Sequence, residues 1–262
     1  ANFILTKREN VADNYIVAMI GDPQTRGLKY DKSIERFRDV ILKDVAALKE
    51  KEGKDIYAIN LGDLLYNFMY TYDDYVDVLA KATCPMFSVI GNHDYDQQTL
   101  FESKMGTPYF HSYLAPENYS FNIGKMHFVV VNTIDYSRPS AKARYKEGLD
   151  DRTCAWLEND LKYVPKDATI VLCGHSPIFK WRDQEGDKWQ NFERYSKLLA
   201  PYKKVYAWAG HTHQNYSYNY ATSTTHPELK NLETIIVGRC IGQIRLNREL
   251  NTDGTPNGYM VA

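Results

Sequence analysis

Five apolar runs in this chain end in the same way, and that recurrence constrains its fold more than any other feature. Tyr15–Ile20 leads into Gly21-Asp22, Ile56–Leu61 into Gly62-Asp63, and Met86–Ile90 into Gly91-Asn92-His93-Asp94. Thr169–Cys173 leads into Gly174-His175, and Val205–Ala209 into Gly210-His211-Thr212-His213. Short runs rich in Val and Ile and closed by turn residues read as buried strands. Glycine at the exit permits a sharp bend and a close approach of backbone. In α/β sheets, ligands bind outside the carboxyl ends of the strands. One Gly-Asp pair is an ordinary turn, and one strand-end histidine is usually structural. Five such ends in order bring carboxylate, amide and imidazole groups to a common edge.

The segments between these runs complete an α/β pattern. In Asp31–Lys51 the apolar residues Ile34, Phe37, Ile41, Val45 and Leu48 lie on one helix face, with Ser33 as N-cap and Gly53 as stop. Asp73–Lys81, Arg152–Tyr163 and Lys188–Ala200 also read as helices. Tyr119–Ile123 and Met126–Val131 flank Gly124-Lys125 as a hairpin. Leu232–Val237 is a further core strand, and Tyr259–Ala262 a strand cut short. Alternating helices and strands with inserted hairpin material point to a layered α/β sandwich. With 262 residues, no repeats and no obvious linker, residues 1–262 read as a single domain.

Charge narrows the partners. Lys and Arg number 32 against 33 Asp and Glu, a formal net charge of -1, which argues against a nucleic-acid-coating protein. A hydrophobic content of 44% excludes a disordered chain. Cys84, Cys154, Cys173 and Cys240 form no CxxC pair, which disfavours a zinc ribbon or redox motif. No run approaches membrane-spanning length.

The ordered motifs from Asp22 to His213 resemble those of the calcineurin-like metallophosphoesterases, D-x-H, GDxx, GNH[DE], GH and GHxH. The resemblance implies a four-layer α/β/β/α sandwich of mixed sheets, and two metals bridged by an aspartate and a hydroxide that attacks a phosphoester in line. It implies Asp63 as the bridging carboxylate, Asp22 and His213 as ligands of one metal, and Asn92, His175 and His211 as ligands of the other. It implies His93 as the histidine that assists the leaving group, and Asp94 as the carboxylate that orients it. The residue types agree with this chemistry. Carboxylate, amide and imidazole donors suit Mn, Fe, Zn or Ni, and two such ions can clamp a phosphoryl group. They also supply the positive charge that the side chains, taken together, do not.

The sequence departs from the family pattern at two places. Gln24 stands where a metal-binding histidine is usual; it can ligate through its amide oxygen or hydrogen-bond to the ligands. Gly62-Asp63-Leu64-Leu65-Tyr66 matches the GDxxY form of purple acid phosphatases, whose tyrosine ligates iron, so Tyr66 is either a ligand or a packing aromatic. Gly174-His175-Ser176-Pro177 is instead the form of smaller bacterial phosphoesterases. The D-x-Q variant occurs in a bacterial subgroup whose catalytic domain has flanking domains, which implies a domain excised from a longer, extracytoplasmic protein.

Arg26 either reaches a phosphate oxygen or is a solvated surface residue. The loop Ser137–Gly148, with Arg138, Lys142, Arg144 and Lys146, either gathers an anion or is a solvated charge run. His127 reads as structural, and the Tyr- and Ser-rich segment Gln214–Leu229 as a loop that shapes substrate choice. The expected activity is hydrolysis of a small phosphomonoester or phosphodiester, or of a phosphoprotein, by a monomer. The competing expectation is a metal-stabilised phosphate-binding module that has lost catalysis, for which Gln24 is the support.

Overall fold

The computed structural model describes residues 14–96, 106–136, 145–179, 189–241 and 250–262. Arg138, Lys142 and Arg144 lie outside these residues.

Because every strand rises with its side chains alternating between two faces, an apolar run with no polar interruption serves two cores at once. Strand β1 (Tyr15–Ile20) sends Val17 and Met19 to one side and Ala18 and Ile20 to the other. β2 (Asp55–Asn60) pairs with it in parallel, Tyr15 opposite Asp55 through Ile20 opposite Asn60, and β3 (Met86–Ser88) continues the sheet. The second sheet has six strands. In chain order they are β4 (Tyr119–Ile123), β5 (Met126–Val130), β8 (Thr169–Cys173), β9 (Lys204–Ala209), β10 (Tyr216–Asn219) and β11 (Leu232–Ile236). In space they run β10-β11-β9-β8-β5-β4, with β5, β8, β9 and β11 parallel and both edges antiparallel. A small ladder joins β6 (Ile134–Asp135) to β7 (Lys146–Glu147).

Three apolar clusters define the layers. Val17, Met19, Tyr57, Ile59, Phe128, Val130, Val171, Cys173 and Trp208 pack between the two sheets. Ala18, Ile20, Ile34, Phe37, Ile41, Tyr72 and Tyr75 form the core under the helices on the first sheet. Leu157, Leu161, Ile170, Leu172, Tyr195 and Leu199 do the same outside the second. The result is the expected α/β/β/α sandwich.

The helices differ from expectation in detail. Ser33–Glu52 is one helical segment, but Phe37–Leu42 within it is π-helical. The wider turn lets Ile41 and Leu42 both face inward while Val40 is exposed, which a strict 3.6-residue count misses. Gly53 closes it in the left-handed conformation at φ 63°. The N-cap is Lys32, and Ser33 Oγ accepts from the Arg26 backbone N–H. Helix Asp151–Leu161 starts earlier than expected because the Asp150 carboxylate accepts from the Thr153 N–H at 2.7 Å. Phe192–Leu199 is shorter, since Asn191 before it is left-handed at φ 59°.

One further correction concerns a loop. Gln214–Leu229 is not an open loop: Tyr216–Asn219 is an edge strand, antiparallel to β11. Its alternation of Tyr with small polar residues fits an edge strand with one wet face. Tyr259–Ala262 contributes β12 (Met260–Val261), antiparallel to β1. Among the described residues no helix is long and apolar enough to cross a membrane.

Candidate metal centre

The parallel strands β1, β2 and β3 of one sheet and β8 and β9 of the other deliver their carboxyl ends to one edge of the sandwich. There the chain must reverse at once, and the backbone records the cost. Asp22, Gln24, Asp63, Asn67, His211 and His213 all have left-handed φ between 44° and 70°. Among the described non-glycine residues only Asn191 shares this conformation. Each such residue costs about 1–3 kcal/mol, and strain of this kind clusters where function demands a fixed geometry. The glycines allow the ligand segments to interlock. A Cβ on Gly91 would fall on the backbone nitrogen and Oδ1 of Asp63, and one on Gly62, at φ 86°, would enter the His175 ring.

Four lone-pair donors converge at the first cluster. His175 Nδ1 lies 2.8 Å from the Leu61 carbonyl, an acceptor only, so Nδ1 carries the proton and Nε2 faces the site. Around that Nε2 stand Asn92 Oδ1 at 3.0 Å, Asp63 Oδ1 at 3.2 Å and His211 Nδ1 at 3.1 Å. The far side of the His211 ring is held by Glu147, whose Oε1 is 3.1 Å from Nε2. Acceptors packed this closely repel one another unless a cation sits among them. Burial alone would lower the His175 pKa, but Asp63 overrides it and pushes it up to about 10, so a proton and a metal ion compete for Nε2. For Asp63 burial works in the opposite sense, yet His175, His93 and His211 hold its carboxyl well below the usual range.

The second cluster comprises Asp22, Asp63 and His213, whose ligand atoms all lie within 4.8 Å of one another. Asp22 Oδ2 is engaged by the His211 backbone N–H at 2.8 Å. Its Oδ1, 3.3 Å from His213 Nε2, is buried with no hydrogen-bond donor. Gln24 Nε2 donates to Asp63 Oδ2 at 3.1 Å and lies 3.4 Å from His213 Nε2, while Gln24 Oε1 is buried without a donor. Two orphaned buried oxygens beside an imidazole fit a cation, because such groups are otherwise costly. Asp63 belongs to both clusters, so a dinuclear metal site can be built around one shared carboxylate. Oxygen and imidazole donors without thiolate suit divalent first-row ions.

His93 stands beside this centre. Its backbone N–H donates to Asp63 Oδ1 at 2.9 Å, and its Nε2 is 3.8 Å from Asp63 Oδ2. Burial lowers its pKa, partly opposed by Asp63. Its Nδ1 faces Asn67 Oδ1 at 2.7 Å. The partner expected from sequence, Asp94, is placed otherwise. The wholly buried Asp94 carboxylate accepts from the backbone N–H of Leu65 at 2.9 Å and of Gly91 at 2.8 Å, pinning two of the loops together. Burial and nearby Asp63 push Asp94 up to about 7. Asn67 is therefore the residue that orients His93, and Asp94 orients the loops.

The remaining candidates lie outside the two clusters. Tyr66 stacks on His93, centroids 4.7 Å apart at 21°. Arg26 lies with its guanidinium carbon 5.8 Å from the Tyr66 ring centre and its Nη1 3.7 Å from Asp31 Oδ2. Lys146 is exposed on β7. His127 is 2.9 Å from Asp160 and 2.8 Å from Asn122, tying the β4–β5 hairpin to helix Asp151–Leu161. Sequence reasoning missed Asn67 and Glu147: neither sits at the end of a core strand, and no spacing relates them to the histidines they hold.

Comparison with known proteins agrees with this geometry. The calcineurin-like phosphoesterase family model matches residues 16–215. Among solved structures, a dimetal phosphatase from Danio rerio superposes with a TM-score of 0.59 at 15% identity, covering 95% of this chain and 92% of that one. A purple acid phosphatase from yellow lupin gives 0.58 at 18% identity and 90% coverage, and this chain spans 45% of its length. A phosphopantetheinyl hydrolase from Mycobacterium tuberculosis gives 0.52 at 12% identity, covering 86% of this chain and 89% of that one. At these identities the superpositions show a shared fold. No curated protein matches.

Proposed function

This chain belongs to the calcineurin-like phosphoesterases, and from that premise we propose that it is a two-metal phosphoester hydrolase acting on a small phosphomonoester or phosphodiester. The observation that carries the reading is Asp63, one buried carboxylate common to two clusters of metal-ligating side chains. Asp63, Asn92, His175 and His211 would hold one ion; Asp22, Asp63 and His213 would hold the other. Gln24 belongs to this second set, and a half-turn of its amide would present Oε1 as a further ligand. A pair of Mn, Fe, Zn or Ni ions, when bound, supplies the Lewis acidity that polarises a phosphoryl group and acidifies water.

The chain's own residues do the rest. Asn67 accepts from His93 Nδ1–H and so directs Nε2 toward the shared carboxylate. A phosphoester oxygen beside that Nε2 receives its proton as the ester bond breaks. The anionic substrate favours the protonated ring, against the burial that lowers it. Glu147 fixes the His211 ring so that Nδ1 points inward. The strained loops, clamped by Asp94, hold all of these before substrate arrives, so that little reorganisation opposes the reaction. A domain lifted from a longer extracytoplasmic bacterial chain is the setting we infer from the motif variant, and we propose that it acts as a monomer.

The test is a panel of mono- and diester substrates assayed separately with Mn, Fe, Zn and Ni, on the wild type and on Asp63→Asn. The wild type is expected to bind two equivalents of metal and to turn over at least one ester class. Asp63→Asn is expected to lose both. A protein that binds two equivalents yet hydrolyses nothing would instead be the catalytically impaired phosphate-binding module, and normal activity in Asp63→Asn would sink the assignment.

A further inference from the structure

Two loops leave the metal centre side by side. Thr25 and Leu65 form a parallel bridge, Gln24 N–H donates to the Asp63 carbonyl, and Tyr66 N–H donates to the Thr25 carbonyl. Groups therefore leave the centre in matched order. Asp22, Gln24 and Asp63 lie in or against the ligand clusters, Arg26 and Tyr66 come next, and Tyr30, Phe68 and Tyr70 lie outermost. Tyr66 covers the His93 ring, so this direction is the side on which the leaving group departs.

The outer residues form an aromatic surface. Phe68 and Tyr30 stack with centroids 5.4 Å apart and planes 5° apart. Tyr70 tilts against both, and its hydroxyl donates to the Tyr30 hydroxyl at 2.5 Å. That bond fixes two rings that are nevertheless 52% and 59% exposed. Single exposed aromatics are ordinary, but a contiguous, mutually braced set at the mouth of a site is not. Between it and His93 sits the Arg26 guanidinium, 5.2 Å from the Phe68 ring centre and 5.8 Å from those of Tyr30 and Tyr66. Its Nε is buried without a hydrogen-bond partner. The ring faces and Asp31, whose Oδ2 is 3.7 Å from Arg26 Nη1, together hold the guanidinium in place.

We propose that Tyr30, Phe68 and Tyr70 with Arg26 form a subsite for a planar aromatic ring on the leaving group, so that the preferred substrate is a nucleotide-like phosphoester. The phosphate lies at the metals, Arg26 faces the polar linkage, and the ring stacks on the exposed tyrosine faces. The inference rests on the phosphoesterase reading for the placement of the phosphate.

The experiment compares adenosine 5′-monophosphate with ribose 5-phosphate, which lacks the base, on the metal-loaded full chain. Both kcat/KM and calorimetric Kd are measured. Stacking on aromatic side chains predicts about a tenfold or greater preference for the nucleotide in each quantity. In Tyr30→Ala/Tyr70→Ala the preference should fall to within about twofold. Tyr163→Ala, at an 82% exposed tyrosine outside this surface, should keep it. Equal values for the two esters in the wild type, or a preference that survives the double substitution, would overturn the subsite. Tighter nucleotide binding without hydrolysis of either ester would uphold the subsite and count against the catalytic reading alone.

Discussion

Glu147 Oε1 lies 3.1 Å from His211 Nε2, on the side of the ring opposite the metal cluster. Burial would raise the Glu147 pKa, but the His211 bond and charge hold it below the ordinary value. The carboxylate thus fixes the ring's tautomer and orientation from behind. Partners of this kind are typically worth about ten- to a hundredfold in metal affinity. Glu147→Gln is expected to weaken the ion at His175 and His211 by about that factor, while the ion at Asp22 and His213 is retained. Metal titration calorimetry with elemental analysis checks this; equal loss of both ions would contradict it.

Asn67 holds His93 through a 2.7 Å contact and does so from a left-handed backbone at φ 66°. Asn67→Gly keeps that conformation available and removes only the amide. Turnover should fall by about ten- to a hundredfold, a part of what general acid catalysis contributes, with metal content unchanged. Asn67→Asp keeps an acceptor at the same place and should restore most of the loss. Steady-state kinetics with a metal assay separates this from a structural defect, which the Asp variant would not rescue.

Tyr66 lies flat against His93, and a phenylalanine preserves that stack. Tyr66→Phe is therefore expected to keep both metal equivalents. Loss of one equivalent, together with loss of a visible charge-transfer band in an iron-loaded sample, would make the hydroxyl a ligand.

Asp160 joins Ser120 Oγ at 2.6 Å and His127 Nε2 at 2.9 Å, away from the metal centre. Burial raises its pKa, but these two bonds lower it further, so the net shift is downward. A depressed carboxyl contributes stability that is present above its unfolded pKa of about 4 and is lost as pH falls through the folded value. Asp160→Asn should cost about 1.5–3 kcal/mol at pH 7. Urea unfolding of both proteins at pH 7 and about pH 3.5 should show the difference shrinking in acid; a gap that widens would be the wrong sign.

Much of the centre was legible in the sequence because its ligands follow strands. An apolar run that fills two cores must be a strand, its carboxyl end has one direction, and the residue after its glycine can only project from that edge. Hence Asp22, Asp63, Asn92, His175, His211 and His213 came together as expected. Residues that act on those ligands obey no such rule. Glu147 comes from a two-residue strand, and Asn67 from a bend. For Asp94 the family resemblance implied a carboxylate that orients His93. The helical turn Asn92–Asp94 instead points its carboxylate into the loops, toward the Gly91 and Leu65 amides.

The sequence by itself determined the layers and the donor types, because hydrophobic periodicity and strand-end chemistry are local properties of the chain. Only the tertiary structure decided which donors converge, which way each imidazole faces, and what braces it. Those depend on contacts such as His211 with Asp22 and Gln24 with His213, each 189 residues apart. Contacts of that range arise when two sheets pack, and no local pattern encodes their distance.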